Sequence, residues 1–394
     1  MATSNQEHNL VEQLRQLTSR PSFKDDFGAR KEALQLSKKL TASLEKPEDV
    51  AVSLAFSPIV PVTIRIAVHL ELFRHIVDNG TSISSKELAT LSGGEELLII
   101  RILRSVSSIG LVDEVGERLW QANPLTKAMT IDGIAAGHRM LGEMVAGAAQ
   151  KAPKYLREAG YRCPTDPKDG LMQYAFQTKL TSFELFSSIP EVLRDFTMFM
   201  GNTMGARSYW VDWFPVQERL LDGATTDLPL LVDVGGGRGH DLLAFHEKYA
   251  LKGRLILQDL ASVTDNIGDL DPAIECMPYD FFSPQPVEGA RAYFYHHILH
   301  DWSDVKCMEI LAQVKASMKP GYSRLLIHEM IIPEQGASTF HAMLDMSMMA
   351  FNSGMERTER QWRELLESAS FEVLKVWPPL EEDADGIIEA VLKE

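Results

Sequence analysis

The chain has 394 residues, 45% of them apolar and 24% charged, and a formal net charge of -16. That length and composition suit two or three globular domains and exclude a disordered, collagenous or membrane-spanning chain. So negative a charge repels nucleic acid and anionic lipid, and no Lys/Arg cluster overrides it locally.

Cys163, Cys276 and Cys307 lack metal or redox spacing and read as reduced thiols. The opening MATSNQEHNL has no apolar core of a signal peptide. No apolar run approaches the ~18–20 residues that span a bilayer. The expected address is the cytoplasm, with no membrane and no nucleic acid as partner.

Residues 1–50 are polar and helix-prone. Leu10, Leu14 and Leu17 are spaced for packing, which predicts an arm covering a neighbouring element or a partner subunit. In residues 51–130, PVTIRIAVHLELFRHI reads as one apolar helix. Ser84 and Glu87 form a capping box opening a short helix. A longer helix follows over 95–109, then a hairpin, LVDEVGERLWQAN, turning near Gly116. Helix, turn, helix and wing make a winged-helix pattern. Its second helix carries only Arg101 and Arg104 as cations, whereas a groove-reading helix needs polar and basic side chains. Packing or dimerisation is therefore favoured over DNA binding. Residues 131–215 read as helical and rich in Met and Phe. Core packing accounts for most of these, and Phe196, Met200 and Met204 are kept as pocket candidates.

Residues 216–394 alternate strand and helix. LPLLVDVGGG, RLILQDL, IECMPYDFF, ARAYFYHHIL and SRLLIHEMII read as strands, with a helix over about 303–318 and another opening at Thr358, where Gln361 completes a capping box. FEVLKVW and GIIEAVLKE close the chain. The expected fold is α/β, a mostly parallel sheet covered on both faces, with ligands bound beyond the strand carboxyl ends.

The first strand runs into Asp233-Val234-Gly235-Gly236-Gly237-Arg238-Gly239. A dinucleotide loop needs G-x-G-x-x-G, and its last position here is His240. The loop instead has the D-x-G-x-G-x-G form of S-adenosylmethionine (SAM) enzymes. SAM has no phosphate and needs acids for its ammonium and ribose hydroxyls. Asp259 ends the second strand, suited to ribose. Asp280 and Phe281 end the third, suited to adenine. The fourth strand ends in HHILHDWSD. Taken alone, His300 reads equally as structural or catalytic. Glu329, at the end of the fifth strand, and Glu356, before the Thr358 helix, can reach the same crevice. Two carboxylates would orient the imidazole and raise its pKa. His296 and His300 are four apart, which leaves a metal open, but they lie across a strand end and lack a carboxylate trio nearby in sequence.

From about residue 55 to the end, VDVGGGRGH, LQDL, YDFF, HHILHDWSD, IHEMIIPE and GMERTERQW follow one another in an order that resembles the SAM-dependent O-methyltransferases of the plant caffeate and isoflavone type. The resemblance is closer to their fungal secondary-metabolism relatives. It implies a Rossmann-like SAM-binding methyltransferase sheet preceded by a mainly α winged-helix dimerisation domain. His300 is then the general base, flanked by Glu329 and Glu356. Gly235, Gly237 and Gly239 are the loop glycines after Asp233. Asp259 is the ribose acid with Leu260 beside it, and Asp280 and Phe281 are the adenine pair. His296 replaces a Lys common in plant members and is a cofactor-side position. Asp301, Met349 and Asn352 join Phe196, Met200 and Met204 as implied acceptor contacts, although the segment before GMERT is one residue shorter than the plant pattern.

The implied reaction methylates a phenolic or enolic hydroxyl of a small aromatic, polyketide-like secondary metabolite. It uses SAM, yields S-adenosylhomocysteine, and needs no metal. The winged-helix half implies a homodimer. Two rivals remain: a SAM-binding pericyclase on the same fold, and a non-catalytic winged-helix regulator.

Overall fold

The computed structural model describes residues 2–205, 209–250, 252–268, 270–380 and 383–393, with side chains described except at 2–6, 27 and 202–205. It divides into two compact units, Met1–Thr126 and Lys127–Glu394.

In the first unit, helices Ala2–Thr18 and Phe27–Leu44 pack Leu10, Leu14 and Leu17 against Ala29, Ala33 and Leu36. Asp26 caps the second helix by accepting the Ala29 N–H at 2.9 Å. The leucine face is covered by the next helix in the chain. The stretch predicted as one apolar helix is two, Ile59–His69 and Leu72–Asn79. Glu71 takes a left-handed conformation (φ 51°) between them. The break lets Leu72, Phe73 and Ile76 bury on their own face. Strand β1 (Ile83–Ser84) precedes helix Ser85–Ser92, capped by the Ser84–Glu87 box, and helix Glu96–Ser108 follows. Strands β2 (Asp113–Gly116) and β3 (Leu119–Gln121) form the hairpin, and the small antiparallel sheet runs β1-β3-β2. No single helix among the described residues is long and apolar enough to cross a membrane. Helices Pro47–Phe56 and Ile59–His69, bent by 46°, pass that test only as a pair.

The second unit is built on β4 (Leu231–Val234), β5 (Leu255–Asp259), β6 (Ile274–Pro278), β7 (Ala292–His296), β8 (Arg324–Ile332), β9 (Arg357–Thr358), β10 (Phe371–Trp377) and β11 (Asp385–Leu392). The main sheet runs β10-β11-β8-β7-β4-β5-β6. It is parallel from β8 to β6, while β11 and β10 are antiparallel additions. Side chains alternate faces. On β7, Tyr293 and Tyr295 enter a core with Cys307, Ile310, Leu311 and Trp362, while Ala292 and Phe294 enter another with Trp210, Leu242 and Phe245. Both faces are buried at the central strands β4, β5 and β7, which is why these read as nearly unbroken apolar runs, while the edge strands β6 and β10 are much more exposed. The chain order reverses about β4, and ligands bind above such a switch point.

Two sequence expectations shift here. Strand β6 stops at Pro278, so Asp280 and Phe281 lie beyond it in a turn. Glu329 lies inside β8 rather than at its end, because β8 continues to pair with β9, Ile331 to Arg357 and Ile332 to Thr358. That short pairing, unseen in the sequence, brings Glu356 to the sheet.

Helices Asp132–Met140 and Pro190–Gly205 are joined by a bidentate Arg139–Asp195 pair, both contacts 2.8 Å. With helix Thr339–Asn352 they enclose an apolar cluster that includes Phe186, Phe196 and Phe351.

Candidate active site

The loop after β4 needs its glycines for different reasons. Gly235, Gly237 and Gly239 have φ of 77°, 57° and 77°, where a side chain is strained. A Cβ on Gly235 would also press on Ile298, and one on Gly236 would collide with the Asp233 carboxylate and Leu257. A Cβ on Gly237 would meet nothing within 4 Å, so that position borders open space. Asp259 accepts the Gly237 N–H at 2.8 Å through Oδ2 and the Leu260 N–H at 2.7 Å through Oδ1. Each oxygen keeps a lone pair for a hydroxyl. Burial pushes the Asp259 pKa up, and these two N–H donors pull against it. Leu260 is exposed beside it. Asp280 is exposed and accepts the Phe282 N–H at 3.0 Å, while Phe281 packs near Gly235 and against Trp302.

Asp233 is fully buried, and neither carboxylate oxygen has a hydrogen-bond partner among the described residues. Burial, then Asp241, pushes its pKa well above the usual carboxylate range. A buried acid of this kind ionises when a cation arrives.

His300 sits on a tight turn, Leu299–Asp301, and is buried. Its Nδ1 lies 2.7 Å from Glu356 Oε1 and 3.8 Å from Glu329 Oε2. Nδ1 therefore carries the proton donated to Glu356, and Nε2 is the nitrogen left for chemistry. Asp301 Oδ1 lies 3.7 Å from Nε2. Glu329, fully buried, accepts N–H bonds from Ile298 at 3.0 Å, Leu299 at 2.8 Å and His300 at 3.4 Å. The two glutamates thus divide the work: one holds the ring and the other the turn. Burial alone would lower the His300 pKa, but the charges of Glu329, Glu356 and Asp301 outweigh it, leaving it well above the usual imidazole value. Burial raises the Asp301 carboxyl to about 7, with His300 opposing. Because Ile298 touches both Gly235 and the Glu329 carboxylate, the base's turn abuts the glycine loop.

His296 ends β7 as read, but its ring is turned into the protein. Nδ1 meets Asp241 Oδ2 at 2.7 Å, and Nε2 lies 3.9 Å from Asp385 Oδ2. Burial would lower its pKa, yet Asp241 and Asp385 carry it up to about 10. His297 Nε2 meets Asp385 Oδ1 at 2.8 Å. These are acid–base hydrogen bonds. Ligand atoms sharing a tetrahedral zinc stand roughly 3.3 Å apart for bonds of ~2.0–2.1 Å. Asp241 and Asp385 were not legible as site residues, because they come from a helix and a strand distant in sequence.

Among the acceptor candidates, Asn352 is buried and donates Nδ2 to the Asp301 carbonyl at 3.2 Å, and its Oδ1 has no partner among the described residues. Met349 and Met200 are half-buried. The ring of Phe196 is taken up by packing on Phe183, Phe186 and Phe351. The Met204 side chain lies outside the described residues. Gly354 escaped the sequence reading: a Cβ there would collide with the His300 carbonyl. Its place two residues before Glu356 was the available signal.

Open space at Gly237, an acid positioned for hydroxyls at Asp259 and an unpaired buried acid at Asp233 fit a cationic nucleoside such as SAM. A glycine loop, ribose acid and buried imidazole above a parallel sheet define a SAM-dependent methyltransferase. Comparison with known proteins narrows the class. Residues 214–372 match the O-methyltransferase domain. O-methyltransferase penC of Penicillium thymicola is 50% identical over 97% of this chain and 96% of its own. Among solved structures, OxaC in complex with sinefungin and meleagrin has a TM-score of 0.88 at 27% identity, covering 100% of this chain and 99% of that one. The LepI complex with SAM has a TM-score of 0.86 at 28% identity, covering 98% and 100%. The chain belongs to the SAM-dependent O-methyltransferase family of fungal secondary metabolism.

Proposed function

We propose that the chain methylates a phenolic or enolic hydroxyl of a small aromatic secondary metabolite, with His300 as general base. The observation that carries this is the His300–Glu356 contact of 2.7 Å, which occupies Nδ1 and leaves Nε2 as the nitrogen able to take a proton. Asp259, Leu260, Asp280, Phe281 and the backbone of Gly235–Gly239 would hold SAM, with Asp233 supplying charge behind the loop. When bound, SAM supplies an electrophilic methyl and departs as S-adenosylhomocysteine. A phenol titrates near ~10 and is a poor nucleophile while protonated. His300 Nε2 takes that proton as the oxygen–carbon bond forms, while Glu356 stabilises the resulting imidazolium through Nδ1. Asp301, with a carboxyl titrating near 7, is the next group able to hold the acceptor or the departing proton. Asn352, Met349 and Met200 are proposed to border the acceptor. No metal takes part.

The OxaC complex, which holds meleagrin with sinefungin, supports a small-molecule acceptor here. The first unit is proposed to be a winged helix that dimerises. Helix Pro47–Phe56 supports this, since none of its residues is buried and Val52, Leu54 and Phe56 are exposed. A cytoplasmic address is proposed on the three unpaired cysteines.

A pericyclic reaction enzyme of known structure, with a TM-score of 0.85 at 28% identity over 98% of this chain, favours a second reading. Incubating the full chain with SAM and a panel of hydroxylated alkaloids, indoles, flavonoids and phenolic polyketides, followed by mass spectrometry, separates the two. Methyl transfer adds one CH2 to the acceptor and releases equimolar S-adenosylhomocysteine. A product of unchanged mass formed without S-adenosylhomocysteine overturns the proposal in favour of a pericyclase.

A further inference from the structure

The backbone that carries His300 is held from both sides. Glu329 collects its N–H groups, as described above. Its carbonyls are collected by Arg357, a fully buried side chain next in sequence to Glu356. Arg357 Nη1 donates to the Leu299 carbonyl at 3.0 Å and the Met355 carbonyl at 3.3 Å. Nη2 donates to the Trp302 carbonyl at 2.8 Å. Nε donates to Asp304 Oδ1 at 2.9 Å, with Nη2 also 2.8 Å from that oxygen, and the guanidinium lies 4.9 Å from the Trp362 ring centroid. Of the two carbonyls between them, that of His300 accepts the Met355 N–H at 2.9 Å and that of Asp301 accepts Asn352 Nδ2 at 3.2 Å. One planar fork thus grips the residues on both sides of the base's turn and the segment that delivers Glu356. A lysine, with a single point of charge, cannot span three carbonyls and a carboxylate.

We infer that Arg357 is a positioning residue that sets the His300–Glu356 separation, and through it the basicity of Nε2. It acts through the backbone and Glu356 rather than on the reacting atoms. Glu356 alone cannot fix this geometry. Its carboxylate is attached to the β9 edge, whose two-residue pairing with β8 is short. The guanidinium welds that edge to the turn, so ring and carboxylate move as one body.

The inference rests on His300 being the base, so its test reads the imidazole directly, whatever reaction it serves. The full-length chain, saturated with S-adenosylhomocysteine and carrying 13C-labelled histidine, is titrated by NMR, with His300 assigned by its absence in His300→Ala. In Arg357→Lys the positive charge stays but the fork is lost. His300 is expected to titrate closer to an ordinary imidazole than in wild type, with S-adenosylhomocysteine affinity within about threefold. Methyl transfer to an acceptor found in the mass screen should fall about 10- to 100-fold, the range seen when an outer partner of a site ligand is lost. Asp304→Ala removes only the exposed anchor of the fork and should shift His300 in the same direction by less. It decides the matter should Arg357→Lys not fold. An unchanged His300 titration in whichever variants fold overturns the inference. So does a fall in methyl transfer matched only by a fall in folded fraction.

Discussion

The glycine loop and base turn differ from the phenylalanine cluster in what folding leaves unfinished. In the cluster, Phe183, Phe186, Phe196 and Phe351 meet ring to ring at 5.1–6.4 Å between centroids, and the apolar surfaces cover one another. Around the glycine loop and the base turn, Asp233, Glu329, Asn352 and Glu356 all keep buried oxygens without a partner among the described residues. Each such atom costs about 1–3 kcal/mol if nothing ever satisfies it. Folding alone does not explain five of them on these four residues. A cofactor carrying hydroxyls and cationic groups, together with a polar acceptor, does. Function lies where stability was left incomplete.

The sharpest way to break this contrast is His300→Ala. The turn is fixed by Glu329 and Arg357 through backbone atoms, so it should survive loss of the ring. Turnover is expected to fall about 100- to 10,000-fold, the range for loss of a general base. The affinity for S-adenosylhomocysteine, measured by calorimetry, should change less than about threefold. Near-wild-type methylation would show that the acceptor oxygen loses its proton elsewhere.

A smaller effect is expected from Glu356→Gln, which keeps the shape of the contact and removes its charge. His300 works as a base only when Nε2 is unprotonated. Because neighbouring carboxylates hold its pKa above the usual imidazole value, wild-type kcat/KM should climb with pH through that raised pKa. Removing one carboxylate lowers the pKa, so the acidic limb moves to lower pH. The plateau should fall about tenfold, since the imidazolium formed in the reaction loses its counter-charge. A limb that stays in place would assign it to another group, with Asp301 the nearest candidate.

The unequal legibility of the two regions has a physical origin. Asp233, Gly235, Gly237, Gly239, Asp259 and His300 could be read because each lies at or within a few residues of the carboxyl end of a strand, and strand ends in a parallel sheet converge on one edge. Glu356 was legible only as a carboxylate able to reach the crevice. What delivers it is the two-residue β9 pairing, too short to leave a periodic signature. Gly236 looked like one glycine among four, and its reason, the Asp233 carboxylate behind it, is a tertiary contact. His296 was placed correctly at the end of β7. Its inward turn depends on Asp241 and Asp385, which no local pattern connects to it. In the helical region, a Phe or Met spacing describes a core helix and a pocket wall equally well, so the sequence left both readings open at Phe196.

Phe196→Leu addresses that ambiguity and should have the smallest effect. The ring makes edge contacts with Phe183 and Phe186 and stacks at 6.4 Å on Phe351, which immediately precedes Asn352. Leucine keeps much of the volume but loses the aromatic geometry, a cost of about 1 kcal/mol. For a unit of this size that lowers Tm by about 2–4 °C. If the ring only packs, kcat and the KM for acceptor should stay within about twofold of wild type, because Asn352 is held independently by its hydrogen bond to the Asp301 carbonyl. The opposite pattern, an unchanged Tm with a KM for acceptor raised tenfold, would mean that the ring faces the acceptor. The cluster would then belong to the unfinished part of the molecule, and the contrast between the two regions would fail at its apolar end.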